Sequence, residues 1–238
     1  MKKILLILFM LLVHVEAQEI YATFDVAAKN SANLAFTASG TVDKVNVEIG
    51  SIVAKGDSLA SLKSDDIRAS LGLAKTALKY AKRDYARQLK VKQVLDQARL
   101  DAYAFKYENA KAQVLYQQTL LDKTILKAPF DGIIFEKDVE VGDAVSGMML
   151  KTVLKIQSLH ERKLILEFDQ KYWNSIKVGA HFTYVLDGDT TTYEGTISKI
   201  YPVISKTQRK MKAEVPCKDF IVGLFGTGTI YIEETEVK

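Results

Sequence analysis

Two stretches of this chain are alike: residues 40–53, GTVDKVNVEIGSIV, and residues 132–145, GIIFEKDVEVGDAV. At a constant offset of 92 residues, five of their positions are identical, including the glycines at 50 and 142. Alternating valines followed by a glycine indicate a strand that runs into a tight turn, because glycine adopts a positive φ at little cost. The repeat therefore predicts two halves of one small β-unit. Two copies are too few for a stacked repeat array.

The segment between the two copies, residues 65–123, is predicted to be helical. It contains no proline and one glycine, and good helix formers dominate it. Its apolar residues recur at alternating spacings of four and three, which is the seam pattern of a coiled coil. The first stripe comprises Ile67, Leu71, Ala74, Leu78, Ala81 and Tyr85, and the second comprises Leu100, Tyr103, Tyr107, Ala110, Val114 and Leu121.

The first stripe lapses at Gln88, and the second misses one position at Gln117. We therefore predict that the chain reverses between residues 89 and 96 and forms an antiparallel helical hairpin. At 1.5 Å per residue, arms of roughly 27 residues would reach about 40 Å from the β-unit.

After residue 156, short strand-like runs are separated by turn residues. The runs are residues 164–168, 182–186, 193–200, 210–215 and 229–232, and we interpret Gly226-Thr227-Gly228 as a turn between strands. Five short strands at such intervals indicate a small barrel. Residues 18–36, in which Ile20, Ala22 and Phe24 alternate, are expected to add a strand to it.

The start of the chain has the features of an export signal. Lys2 and Lys3 precede the apolar run 4–13, and small residues follow at 15–17. Ten apolar residues are too few to span a bilayer, which takes about 20. We predict a signal peptide over residues 1–17. Its retention as an anchor stays an open alternative.

The net charge is +4 for the whole chain and is unevenly distributed. Residues 65–123 contain twelve basic and seven acidic residues, and the rest of the exported chain is slightly acidic. The total is too small for a nucleic-acid-binding protein. Two interpretations of the basic hairpin stay open: a solvated helical face, or an electrostatic docking surface for an acidic partner.

The sequence offers little for catalysis, cofactors or metals. Beyond the signal it has two histidines, His160 and His181, in unlike contexts, and it has neither a nucleophile motif nor a phosphate-binding loop. Asp187-Gly188-Asp189 lacks the remaining ligands of a calcium loop and is interpreted as a turn. The single cysteine, Cys217, is interpreted as a small apolar residue. We expect no enzyme activity, no cofactor and no metal site.

Residues 125–134, ILKAPFDGII, resemble the signature I-x-A-P-F-D-G-x-I/V of membrane fusion proteins, the periplasmic adaptor subunits of tripartite efflux pumps of the HlyD and RND types. Residues 53–57, 59–62, 176–179 and 195–197 are similar to further parts of that family. The resemblance covers essentially the whole exported chain. In true lipoyl carriers a modified lysine lies at the turn between the halves. Lys55 lies within one half here, which argues against a carrier.

The resemblance implies an elongated, mostly β protein: a lipoyl-like β-sandwich split by an antiparallel coiled coil and followed by a small β-barrel. The expected boundaries are 18–36 for strands joining the barrel, 37–63 for the first lipoyl half and 64–124 for the hairpin. The second lipoyl half is expected at 125–156 and the barrel at 157–238. Many adaptors add a membrane-proximal domain from a C-terminal segment, and with the last residue at Lys238 we expect it to be missing.

The resemblance also implies a function. The protein would act in the periplasm of a Gram-negative bacterium, link an inner-membrane transporter to a TolC-like outer-membrane channel, and form a ring-like homo-oligomer, with a hexamer as one candidate. It would be membrane-associated through these partners and form part of the export conduit. An exported coiled-coil scaffold without a transport role is the alternative.

The tip of the hairpin is the expected contact with the channel. Family members carry an Arg, a Leu and a Ser there, and counting from Arg87 gives Val91 and Ala98, or Asp96 if the turn is two residues shorter. The expected channel-docking residues are Arg87, Lys90, Val91, Lys92, Asp96, Ala98 and Arg99.

Overall fold

The computed structural model describes residues 18–90, 96–205 and 207–232. The predicted signal peptide at 1–17 and the predicted tip residues Val91 and Lys92 lie outside these ranges. The described chain forms two compact units, one of residues 30–159 and one of residues 18–29 with 160–232. Among the described residues, no helix is long and apolar enough to cross a membrane.

Fifteen strands and two long helices make up the described chain. The helices are α1 (Asp65–Lys90) and α2 (Gln97–Asp122). The strands of residues 30–159 are β2 (Ser31–Leu34), β3 (Gly40–Val45), β4 (Ile52–Val53), β5 (Ser58–Leu62), β6 (Ile125–Lys127), β7 (Gly132–Lys137), β8 (Ala144–Val145) and β9 (Leu154–Ser158). The strands of the other unit are β1 (Gln18–Ala28), β10 (Arg162–Asp169), β11 (His181–Leu186), β12 (Tyr193–Thr196), β13 (Lys199–Ile200), β14 (Lys210–Cys217) and β15 (Phe225–Ile232).

Residues 30–159 form a sandwich of two four-stranded sheets, with strand orders β2-β9-β7-β4 and β6-β5-β3-β8. Apolar side chains fill the space between them, among them Val42 and Ile134 from the two copies of the repeat and Leu59, Leu62 and Ile156 from the strands beside them. The helical hairpin connects β5 to β6. The predicted fold, a mostly β sandwich interrupted by a hairpin, is confirmed.

The internal repeat corresponds to a structural symmetry in the sandwich. Gly50 N donates to Ile134 O at 2.8 Å, and Gly142 N donates to Val42 O at 3.0 Å. These two bonds are related by the same offset of 92 residues, so each copy of the repeat binds the other in the same way. Both glycines have positive φ values, 90° and 99°, which explains why the sequence requires glycine at both turns.

A single lysine joins the two repeat copies. Lys137 Nζ lies 3.1 Å from a carboxylate oxygen of Glu48 and 2.8 Å from one of Glu140, which are equivalent residues of the two copies. Hydrogen bonds to Glu140 and to Glu48 raise the pKa of Lys137. The ammonium therefore stays charged and holds the two turns together.

The other unit is a closed barrel. Its sheet has the order β12-β11-β15-β1-β10-β14-β13, and the two outer strands belong to one continuous run, residues 193–200. The first half of this run pairs with β11 and the second half with β14, so the sheet closes on itself. The core contains an aromatic cluster in which the Phe24 and Phe182 ring centroids lie 6.0 Å apart at 88°.

One detail of the barrel differs from the sequence prediction. The stretch Gly226-Thr227-Gly228 is not a turn but the interior of β15. A Cβ on Gly226 would lie 2.5 Å from the Phe24 ring, and one on Gly228 would lie 2.5 Å from the Phe182 ring. Two backbone carbonyl oxygens of β11, Val185 O and Thr183 O, would lie closer still. Glycine is required there because the neighbouring strand and the aromatic core both approach the backbone of β15, not because the chain turns.

The chain passes between the units at other residues than expected. The first crossing follows residue 29 rather than residue 36, because β2 pairs with β9 in the sandwich. The second follows residue 159 rather than 156, since β9 extends to Ser158. The crossing itself lies in the polar, exposed stretch Lys29-Asn30-Ser31, which marks the break in the sequence.

Candidate functional site

The candidate site is the helical hairpin, whose two arms pack through the predicted seam. Every residue of both predicted stripes is at least half sheltered from solvent, and the Tyr85 and Tyr107 rings stack at 5.8 Å. Both predicted gaps in the seam, Gln88 and Gln117, are half-buried as well. The seam is thus longer than its apolar residues alone indicate, because glutamine can pack its aliphatic part there.

The two helices of the hairpin end and begin on either side of the predicted reversal, of which residues 91–95 lie outside the described ranges. α1 ends at Lys90, and α2 begins at Gln97 after Asp96, which has extended backbone angles typical of a residue preceding a helix. The carbonyl of Asp96 accepts hydrogen bonds from the amides of Arg99 and Leu100, whereas its side chain makes no capping bond. Among the described residues, the Asp96 side chain is exposed.

All described residues of the predicted tip, Arg87, Lys90, Asp96, Ala98 and Arg99, are exposed. They come from the end of α1 and the beginning of α2, so the hairpin brings them to the same end. Arg87 is held within its own helix by an ion pair with Asp84. In the described ranges, neither Lys90 nor Arg99 has an acidic side chain within ion-pair distance, and these two carry the uncompensated charge of the tip.

Positive charge is not confined to the tip: as the charge count of residues 65–123 indicates, it extends along the hairpin, and the structure shows that part of it lines one flank of α1. Five exposed basic residues of α1 are spaced by seven, four, three and eight residues, which places them on one flank of the helix over its whole length. They are Arg68, Lys75, Lys79, Lys82 and Lys90. Plotting α1 as a helical wheel would have revealed this basic flank.

The structure does not bring the remaining candidate residues together. His160 pairs with Asp219 at 2.8 Å, and His181 lies 3.9 Å from Glu194. Asp189 accepts hydrogen bonds from Thr191 N and the Tyr193 hydroxyl in the connection after β11. Within the described ranges, no three His, Cys, Asp or Glu residues are grouped so that they could hold a metal ion.

Cys217 is half-buried at the barrel, and its burial raises the thiol pKa to about 11. At neutral pH it is therefore a protonated, weakly reactive thiol, because the thiolate is the nucleophilic form.

Comparison with known proteins identifies the family. Residues 30–156, more than half of the chain, match the family model described as "CzcB-like, barrel-sandwich hybrid domain". The chain belongs to this CzcB-like family. It is a family of membrane fusion adaptors, as the motif at 125–134 indicated, and not of enzymes.

Individual relatives agree with this assignment. The CzcB-like chain is 26% identical over 221 residues to the cobalt-zinc-cadmium resistance protein CzcB of Cupriavidus metallidurans. That match covers 84% of this chain but 42% of the relative, so the chain spans less than half of the relative's length.

Solved structures show the same fold. A MacA-MexA chimeric protein that contains the Pseudomonas aeruginosa MexA α-hairpin superposes with a TM-score of 0.83 at 21% identity, covering 91% of this chain and 82% of that one. MacA from Actinobacillus actinomycetemcomitans superposes with a TM-score of 0.76 at 20% identity, covering 91% and 79%.

Proposed function

We propose that this CzcB-like chain is an exported periplasmic adaptor that links an inner-membrane transporter to a TolC-like outer-membrane channel. The observation that carries the proposal is the connection between the two lipoyl-like halves. A lipoyl carrier has a lysine-bearing turn at this position, whereas this chain has two helices of 26 residues each. A hairpin of that length can reach a distant partner, and it does not present the modified lysine that a lipoyl carrier needs.

The proposed mechanism is geometric. Each arm extends about 39 Å at 1.5 Å per residue. Several copies in a ring-like homo-oligomer would align their hairpins into a tube, while the sandwich and barrel surround a conduit. Substrate would pass through without a chemical step.

The tip is proposed to dock on the channel through Arg87, Lys90, Asp96, Ala98 and Arg99, together with Val91 and Lys92 from the sequence. Lys90 and Arg99 are the strongest candidates because they are exposed and without an acidic neighbour in the described ranges. Exposed charges of this kind mainly steer association and set its salt dependence.

The names of the relatives suggest a class of substrate to test. CzcB is named for cobalt, zinc and cadmium resistance, so divalent cations belong in the test beside antibiotics, detergents and bile salts. Because no metal-holding group of side chains is present among the described residues, we propose that cations would be selected by the transporter and not by this chain.

Deletion of the gene, followed by growth in a panel of these compounds, tests the proposal. We expect increased sensitivity to at least one class, restored by the intact gene. Unchanged sensitivity to the whole panel would count against an adaptor. Co-purification after crosslinking distinguishes an adaptor from the alternative, a coiled-coil scaffold. An adaptor should co-purify with a transporter and a channel, and a scaffold should co-purify with neither.

A further inference from the structure

One end of the barrel is closed by two connections that we call the end cap, residues 170–180 and 201–205 with 207–209. The first connection links β10 to β11, and its Ile176 is buried in the barrel core. The second links β13 to β14. Gln170 N donates to Arg209 O at 3.2 Å, so the two connections are hydrogen-bonded to each other.

Large apolar side chains of the end cap are exposed to solvent. Trp173 is 65% exposed, Val178 62% and Val203 71%. Trp173 is the single tryptophan of the sequence. Tryptophan is expensive to expose and is enriched where an apolar environment meets a wet one, as in the headgroup region of a membrane.

The end cap is also basic. Lys171, Lys177 and Arg209 are exposed, and in the described part of the chain none has an acidic side chain within 4.0 Å. Lys171 Nζ lies 4.8 Å from the centre of the Tyr172 ring. The carboxylate of neighbouring Asp169 accepts a hydrogen bond from the backbone amide of Lys171, so it serves the backbone rather than a cation.

The opposite end of the barrel has a different character. Its exposed charges are of both signs, with Lys29 and Lys218 beside Asp187 and Asp219. The chain passes from this end to the other unit after residue 29 and again after residue 159. The end cap instead lies where β1 begins at Gln18, directly after the predicted signal and its apolar run. A chain that leaves a membrane at its N-terminus would enter the barrel at this end.

We propose that the end cap is a membrane-binding surface that docks directly on an anionic lipid bilayer. Trp173 and Val178 would enter the headgroup region, while Lys171, Lys177 and Arg209 would face lipid phosphates. A few apolar side chains combined with several cations give reversible binding to anionic membranes, which neither feature achieves alone. This goes beyond the proposed function, in which the adaptor reaches the membrane through its transporter.

The single tryptophan makes the proposal directly measurable. The protein as purified from the periplasm is mixed with vesicles containing roughly one third phosphatidylglycerol in phosphatidylcholine, and tryptophan fluorescence is recorded. We expect a blue shift, reversal of the shift by salt, and quenching when the lipids carry bromine near the top of their acyl chains. Pure phosphatidylcholine vesicles should give little response.

Charge variants separate the end cap from general electrostatics. Lys171→Gln with Lys177→Gln should lower the vesicle partition coefficient roughly 25-fold, at about fivefold per cation. Lys218→Gln, an exposed lysine at the opposite end of the barrel, should leave it unchanged.

The proposal would be overturned if the Lys218 variant lowered vesicle binding as much as the end-cap variant does. It would also be overturned if anionic vesicles gave no fluorescence shift, or if the end cap crosslinked to a protein partner but bound no vesicle. None of these results depends on efflux, so a failure here is distinguishable from a failure of the adaptor proposal.

Discussion

The side chains of the barrel are buried more completely than those of the hairpin. In the barrel, Phe182, Leu164, Leu166 and Ile230 are completely buried. In the hairpin, Leu71 and Ala74 are the buried residues of α1, and none of the 26 residues of α2 is buried. A two-helix hairpin shelters one seam and leaves the rest of its surface open. Substitutions in the barrel should therefore affect folding, and substitutions on the hairpin should affect recognition.

The largest expected effect on stability lies in the barrel core. Phe182→Ala removes a ring that contacts Phe24 and Tyr184 and leaves a cavity, which should cost about 3–5 kcal/mol. The fluorescence of Trp173 monitors this unit during urea unfolding, whereas circular dichroism at the helix band monitors the hairpin. A loss of equal size in both signals would show that the two regions are not independently stabilised.

A smaller effect is expected in the hairpin seam. Leu78→Ala removes a half-buried side chain at little change in helix propensity, and should destabilise the hairpin by about 1 kcal/mol. Leu73→Ala, on the same helix but 75% exposed, is the matched control and should be nearly neutral. The comparison would fail if both substitutions gave the same helix unfolding curve.

The barrel should also lose stability in acid through Glu167. A hydrogen bond from Lys212 lowers the pKa of this carboxyl, so its contribution is present above the unfolded-state pKa and is lost as pH falls through the folded-state value. Its size should be about 1 kcal/mol or less, as for other ion pairs near the surface. In Glu167→Gln, the barrel unfolding midpoint should fall less steeply below pH 5 than in the wild type. If the unfolding midpoint of Glu167→Gln falls with pH as steeply as that of the wild type, Glu167 does not contribute to the loss of stability in acid.

The smallest effect on stability, and the largest on function, is expected at the tip. Reversal of Lys90 and Arg99 to Glu should change the unfolding free energy by less than about 0.5 kcal/mol, because both side chains are exposed and neither has an acidic partner in the described ranges. Efflux and crosslinking to the channel should nevertheless be abolished.

The control for the tip is reversal of Lys75 and Lys79, nearer the hairpin base. Lys75 and Lys79 lie on the same basic flank of α1 as Lys90. Their reversal therefore shows whether an effect depends on a position at the tip or on the charge of the flank as a whole. If reversal of Lys75 and Lys79 reduces efflux as much as reversal of the tip residues, the whole flank is the docking surface. If the tip pair is silent, the proposed tip contact is wrong.

Much of this architecture is predictable because it depends on local patterns. The repeat and the apolar stripes indicate the sandwich and the hairpin, since turns with positive φ and coiled-coil seams constrain residue types at fixed spacings. The glycines of β15 were misassigned because backbone carbonyls and aromatic rings of other strands approach them closely, and no local pattern reveals such contacts. The sequence also does not fix which residues occupy the Arg, Leu and Ser positions of the family at the tip, because a turn shorter by two residues moves the Ser position from Ala98 to Asp96.

Site-specific crosslinking in living cells tests the adaptor proposal most directly. A photoreactive amino acid is placed at Lys90 in one strain and at Lys75 in another, and the adducts are identified after illumination. We predict an adduct between position 90 and an outer-membrane channel, and none with that channel from position 75. No channel adduct from position 90, or the same adduct from both positions, would contradict it.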